Sequence, residues 1–236
     1  MGRRKRARRR MTFLPAAAGS GGGFTAPTIW YAPLASIDGC VVAAYQAIGV
    51  PGYAESLWNL ANIGTNDLTE GIAPGWDATD GWQFNTALGS YLKTGVIPLE
   101  MYSYVVRFTG HDTADVNSVF GMYSATAGAQ IDLWTSIFAA GMVWWYSNNV
   151  DNARPPIVDQ GVFGLAHNQP YRNGLPDGAA IAQNWTEAAV EIYLGAVNGN
   201  GVTIWEDTVN IQAFAIYSCT LDATQMAAVM EAVAML

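Results

Sequence analysis

The C-terminal stretch Asn210–Leu236 reads NIQAFAIYSCTLDATQMAAVMEAVAML and carries two local signals in succession. The first is a run of apolar, aromatic and β-branched residues, which suits a strand over Asn210 to Ser218. Alternation sets Ile211, Ala213, Ala215 and Tyr217 on one face and Gln212, Phe214 and Ile216 on the other. Both faces are largely apolar, so this strand is expected to be buried on both sides, between a facing sheet and a loop or helix. The second signal has helical spacing. Asp222 is placed to accept from the free backbone N–H groups of a first turn, and Gln225, three residues on, to reach back. Leu221 and Met226 have the spacing of a hydrophobic staple, and Met226, Val229, Met230 and Val233 share one face. The pattern predicts an inner strand followed by a short helix that packs against a sheet.

Upstream, short segments rich in β-branched and aromatic residues alternate with Gly, Asn, Asp and Pro, as in a chain of many strands joined by turns. The expected strands are Val41 to Gln46, Tyr91 to Thr94, Ser103 to Phe108, Ser118 to Met122, Gln130 to Trp134, Met142 to Tyr146, Val158 to Ala166 and Glu191 to Ala196, besides the closing one. Tyr102, Tyr104, Val106 and Phe108 form one apolar face, while Ser103, Val105, Arg107 and Thr109 turn polar toward the strand end, which predicts a core on one side. Asn173-Gly174 between Arg172 and Leu175 suits a two-residue hairpin, with Asp177-Gly178 as a further turn.

Hydrophobic residues make up 51% of the chain and charged residues 13%, so Ser, Thr, Asn, Gln and Gly must cover most of the surface. Disorder is excluded for the body, and 236 residues suit one large all-β domain. Charge is divided sharply. Seven of the eleven basic residues, Arg3, Arg4, Lys5, Arg6, Arg8, Arg9 and Arg10, precede a Gly-rich linker, so residues 1–24 read as an arm and 25–236 as the domain. Two readings of the arm stay open: a solvated terminus, or an electrostatic anchor for nucleic acid or an acidic partner. The rest of the chain holds four basic against nineteen acidic residues, which argues against nucleic-acid or anionic-membrane binding by the body. Thr12 and Pro15 interrupt the apolar stretch a secretory leader would need, and no run of eighteen apolar residues suggests a membrane span.

The runs VVAAYQAIG (41–49), SLWNLANIGTND (56–67), GWQFNTALGSYLKTG (81–95), YSYVVRF (102–108), AHNQPYRNGLPDG (166–178) and EIYLGAVNGNG (191–201), closed by the strand and helix above, resemble in order and spacing the elements of LamG-like, concanavalin A-like lectin domains. The similarity runs from Cys40 to the C-terminus and is closest to the small versions found in phage and metagenomic viral structural proteins. It implies an antiparallel two-sheet β-sandwich, a concanavalin A-like jelly roll, with a short C-terminal helix. It also implies that the first and last strands pair, which would bring Cys40 near Cys219. A disulfide is then geometrically open, but reduced thiols are the default for a chain assembled in host cytoplasm, and the reduced state is the expectation.

Glycosidases built on this sandwich need two carboxylates across a cleft, usually on a strand reading Glu-x-Asp-x-x-Glu, and no such run occurs. Glu187 with Glu191 reads as two solvent-facing acids, and Glu206-Asp207 as a turn. His111 and His167 have no partner at ligand spacing. Trp144, Trp145 and Tyr146 lead into Asn148, Asn149 and Asp151, and aromatics beside amides and carboxylates are what a sugar site requires, although strand alternation buries at least one of the adjacent Trp residues. The same polar loop, with Asn152, offers hard oxygens to calcium, the one cofactor considered; no other metal site is expected. Trp30, Tyr31, Trp58, Trp76 and Trp82 read as core or subunit-contact residues.

Three functions follow. One is a non-enzymatic phage or viral surface protein, displayed on the virion and binding host glycans. The second is a capsid-forming jelly roll whose arm neutralises packaged nucleic acid. The last, which the missing carboxylate pair disfavours, is a glycoside-processing enzyme. Either of the first two implies a homo-oligomer or particle assembly.

Overall fold

The computed structural model describes residues 29–114, 116–136, 141–146, 149–150, 154–182 and 185–236. Two stacked sheets form the frame of the molecule. In the first, β13 (Leu175–Pro176), β12 (Gln169–Arg172), β11 (Gly161–Ala166), β6 (Ser103–Thr109), β17 (Asn210–Tyr217), β4 (Gly81–Gln83) and β3 (Gly75–Asp77) lie side by side, and β1 (Val41–Gln46) shares the far edge of β17 with β4. In the second, the order is β10 (Asn149–Val150), β9 (Gly141–Tyr146), β8 (Ala129–Ser136), β7 (Ser118–Ser124), β14 (Tyr193–Leu194), β5 (Tyr91–Lys93) and β2 (Thr69–Ile72). The hairpin of β15 (Val197–Gly199) and β16 (Val202–Ile204) joins this sheet through the parallel pairing of β15 with β7; the other ladders are antiparallel. The short α1 (Tyr53–Ser56) lies in a connection, and α2 (Ala223–Ala234) closes the chain.

The main core lies between the sheets. Tyr104, Phe108, Phe163, Phe214 and Ile216 of the first meet Phe120, Ile131, Leu133, Trp144 and Leu194 of the second, all of them buried. Phe120 bridges the layers, its ring 4.8 Å from Phe214 and 6.2 Å from Tyr104. A second core forms on the outer side of the first sheet, where Val105, Ala213, Ala215 and Tyr217 meet Met226, Val229, Met230 and Val233 of α2 and Trp30 with Ile37 of the N-terminal segment. The closing strand is thus buried on both faces, as its composition requires. One residue departs from strict alternation. A bulge between Ile211 and Ala213 shifts the register, so Ile211 joins Phe214 and Ile216 in the main core rather than Ala213 and Tyr217 behind it.

The helix forms where its caps predict. Asp222 accepts from the Gln225 N–H at 2.9 Å, Gln225 accepts in return from the Asp222 N–H at 2.9 Å, and Leu221 and Met226 are both buried in the second core. The polar end of β6 is covered too, because the Arg107 guanidinium donates to the Val233 carbonyl at 3.0 Å. Arg172 pairs with Leu175 around Asn173 and Gly174, whose φ values of 49° and 84° are those a two-residue hairpin turn requires. Trp30 and Trp82 are buried, Tyr31 and Trp76 partly so, and Trp58 is exposed.

The cysteines depart from expectation. Cys40 and Cys219 are joined in a disulfide, with Cα atoms 5.7 Å apart. The reason is positional: β1 runs antiparallel to the end of β17, and the Ser218 N–H donates to the Cys40 carbonyl at 2.8 Å, so the pairing brings the two residues together. The reduced expectation came from compartment rather than geometry. No helix among the described residues is long and apolar enough to cross a membrane.

Candidate functional site

Strand β9 sorts the three adjacent aromatics by parity. Trp144 and Tyr146 point inward and are buried in the main core, Trp144 against Phe120 at 5.9 Å and Tyr146 against Trp185 at 5.5 Å and His167 at 5.6 Å. They do not form the sugar platform expected of them, since alternation leaves only Trp145 for the outer face. Asn149 pairs with Tyr146 in β10. Asn148 and Asp151, like Asn152 and the arm residues Arg3, Arg4, Lys5, Arg6, Arg8, Arg9 and Arg10, lie outside the described residues. Among the described residues no three His, Cys, Asp or Glu side chains gather as a metal site would need.

Trp145 has company that the sequence did not suggest. Its ring lies 5.6 Å from Trp134 of β8, Trp134 lies 5.8 Å from Trp205, and Trp205 lies 5.8 Å from Tyr123 of β7. Four aromatic rings therefore run in contact over the outer face of the second sheet. Trp205 is 37% exposed and the other three are partly so. Trp205 comes from the connection into β17, held there by its carbonyl accepting from the Ser118 N–H at 3.1 Å, and has a φ of 52°.

Asp132 sits among these rings. Its neighbours across the sheet are Trp145 on β9 and Gly121 on β7, and Gln130 and Trp134 flank it on its own strand and face. Gly121 is required there, because a Cβ would overlap Asp132 and the Ile131 carbonyl. Asp132 is fully buried, and burial pushes its carboxyl up to about 8, although the Gln130 amide donating to Oδ2 at 2.7 Å pulls the other way. At neutral pH it is therefore an uncharged acid. Its Oδ1 and the indole N–H groups of Trp134 and Trp145 have no hydrogen-bond partner among the described residues.

On the same face, beyond Tyr193 of β14, opens a cleft of about 620 Å³ with Glu191 and Asn198 on its wall. The Gly95 N–H donates to Glu191 Oε2 at 2.7 Å, and the Asn198 amide donates to the Glu191 carbonyl at 2.9 Å, so the carboxylate is held in place. Glu191 is thus a positioned wall residue rather than a loose surface acid.

The structure corrects the turn expected at Glu206-Asp207: Asp207 is buried against His111, whose Nδ1 lies 2.8 Å from Oδ2 with both side chains sealed from solvent. Burial raises the Asp207 carboxyl, against the lowering effect of His111. With the Asp207 N–H donating to the Gly195 carbonyl and the Asp112 N–H to the Thr208 carbonyl, the pair stitches three loops together. His167 occupies the turn between β11 and β12 with a φ of 53°.

The fold is an all-β sandwich of two sheets with a C-terminal helix. No protein-family model matches the chain, and no curated protein matches it in sequence. Solved structures do match. Trypanosoma rangeli sialidase in complex with sialic acid aligns with 83% of this chain and 33% of its own, at 13% identity and a TM-score of 0.58. The botulinum neurotoxin serotype D binding domain aligns with 83% of this chain and 52% of its own, at 11% identity and a TM-score of 0.58. The chain thus spans a third to a half of these two structures, and identity this low speaks to fold alone.

Proposed function

We propose that this protein is a non-catalytic carbohydrate-binding module whose binding face is the outer surface of the second sheet, displayed on a phage or viral particle. The observation that carries the reading is the contiguous row Trp145, Trp134, Trp205 and Tyr123 on a solvent-facing sheet surface. Such faces are ordinarily polar, and a joined aromatic patch marks a place where something binds. Flat rings match the apolar faces of sugars.

The acids support a binding role over a hydrolytic one. A glycosidase needs two carboxylates that reach substrate, whereas Asp132 and Asp207 are sealed, which leaves Glu191 as the one acid on the cleft wall. The particle setting rests on the order of sequence segments, and the Cys40–Cys219 bridge suits a particle exposed to an oxidising exterior. The test is a glycan array probed with the intact protein and with Trp134→Ala and Trp145→Ala. Retention by the parent and loss by both variants is the expected result; absence of retention by the folded parent rejects the reading.

The charge division favours one additional role. Seven basic residues in the first ten, ahead of an acidic body, suit an arm that neutralises packaged nucleic acid. A salt-dependent shift of the protein on nucleic acid that survives deletion of residues 1–10 would reject it.

A further inference from the structure

The aromatic row and the Glu191 cleft lie on one side of the second sheet. Trp145, Asp132, Gly121 and Tyr193 are successive cross-strand partners on β9, β8, β7 and β14, at a single level of the sheet. At the usual inter-strand spacing these strands span about 14 Å. The two regions also meet along the strands, since Tyr123 at the end of the row pairs with Gly199, which lies between the cleft residues Asn198 and Asn200.

We propose that this face takes an extended, uncharged polysaccharide segment lying across the strands, with one end of the segment held in the cleft beside Glu191. The proposal rests on the carbohydrate-binding reading and narrows it to a ligand class. Its first support is length. The surface from Trp145 to the cleft is too long for one pyranose ring, so a single terminal sugar would leave most of it bare. Its second support is the division of chemistry along that length. Rings are what the Trp145 end exposes, with Asp132 and Gln130 buried beneath them, and there stacking tolerates any sugar, whereas the cleft end supplies the Glu191 carboxylate and the exposed Asn200 amide to hydroxyls.

The cleft is also built before a ligand arrives. Asn198 uses both ends of its amide, donating to the Glu191 carbonyl and accepting from the Gly201 N–H at 2.6 Å. A wall fixed in this way spends little ordering entropy on binding. The third support is charge. The body holds nineteen acids against four bases, with Arg107 and Arg172 on the first sheet, and although Lys93 pairs with Tyr193 beside the cleft, Glu191 stands on the cleft wall, so the net charge disfavours acidic sugars.

The test is calorimetric titration of the full chain with uncharged gluco-, manno- and N-acetylglucosamine oligosaccharides from mono- to hexasaccharide, beside sialylated oligosaccharides of matched length. Affinity for at least one neutral series should rise about tenfold or more, ~1.4 kcal/mol, between di- and hexasaccharide. Glu191→Gln and Trp145→Ala should each shorten the length at which affinity stops rising. Trp145→Phe, which keeps a ring, should restore most of the effect and controls for misfolding. A monosaccharide that competes as well as the hexasaccharide, or a preference for sialylated ligands, overturns this inference while leaving carbohydrate binding intact. A folded parent that binds no saccharide overturns the underlying reading as well.

Discussion

The two sheets present opposite outer surfaces. Behind the first, Val105, Ala213, Ala215 and Tyr217 are covered by α2 and by the segment around Trp30 and Ile37, which makes a second core. On the second sheet, Trp145, Trp134, Trp205 and Tyr123 form an aromatic surface that remains partly open to solvent. The contrast teaches that apolarity alone does not say whether a sheet face is structural. A covered face returns its burial energy to folding, while an open aromatic face keeps part of that energy for a ligand.

That comparison can be broken by changes on each side. The largest loss is expected at the covered end, where Cys40 and Cys219 are 179 residues apart: reduction, or Cys219→Ala, should cost about 4 kcal/mol in denaturant unfolding. Met230→Ala, which empties a buried site under α2, should cost about 3 kcal/mol and leave glycan binding unchanged.

On the open side, Asp132 should make stability depend on pH. Its carboxyl stands at about 8 in the folded chain against 3.8 ordinarily, so its stabilising contribution is complete below about 4 and is lost as pH rises toward 8. Within that window the parent should lose about 1.4 kcal/mol per pH unit relative to Asp132→Asn, measured by unfolding from pH 5 to pH 8. Asp222→Ala, which removes the helix cap, should cost about 1 kcal/mol. The smallest change is Trp145→Phe, which should alter stability by less than about 0.5 kcal/mol.

Features set by neighbours in sequence were the legible ones. Asp222 with Gln225, and Asn173 with Gly174, announce a cap and a turn within a few residues, and the apolar run Val41–Gln46 coincides with a strand. Strands of three or four residues such as Thr69–Ile72, Gly75–Asp77 and Gly81–Gln83 offer too few alternations, and Gly in each weakens the signal. The exchange of Ile211 between faces follows from a bulge that no local pattern announces.

The site shows the same division. Alternation alone says that Trp144 and Trp145 face opposite ways, but which of them faces out depends on where the other sheet lies. The gathering of Trp205 with Tyr123 and Trp134, and of Asp207 with His111, joins residues far apart in the chain and comes only from the assembled sandwich.

The most direct test of the open face compares the parent with a Trp134→Ala, Trp145→Ala double variant for retention on immobilised neutral polysaccharide, with disulfide formation and far-ultraviolet circular dichroism checked for both. The account predicts retention of the parent and free passage of a folded double variant. Equal retention of the two would contradict it.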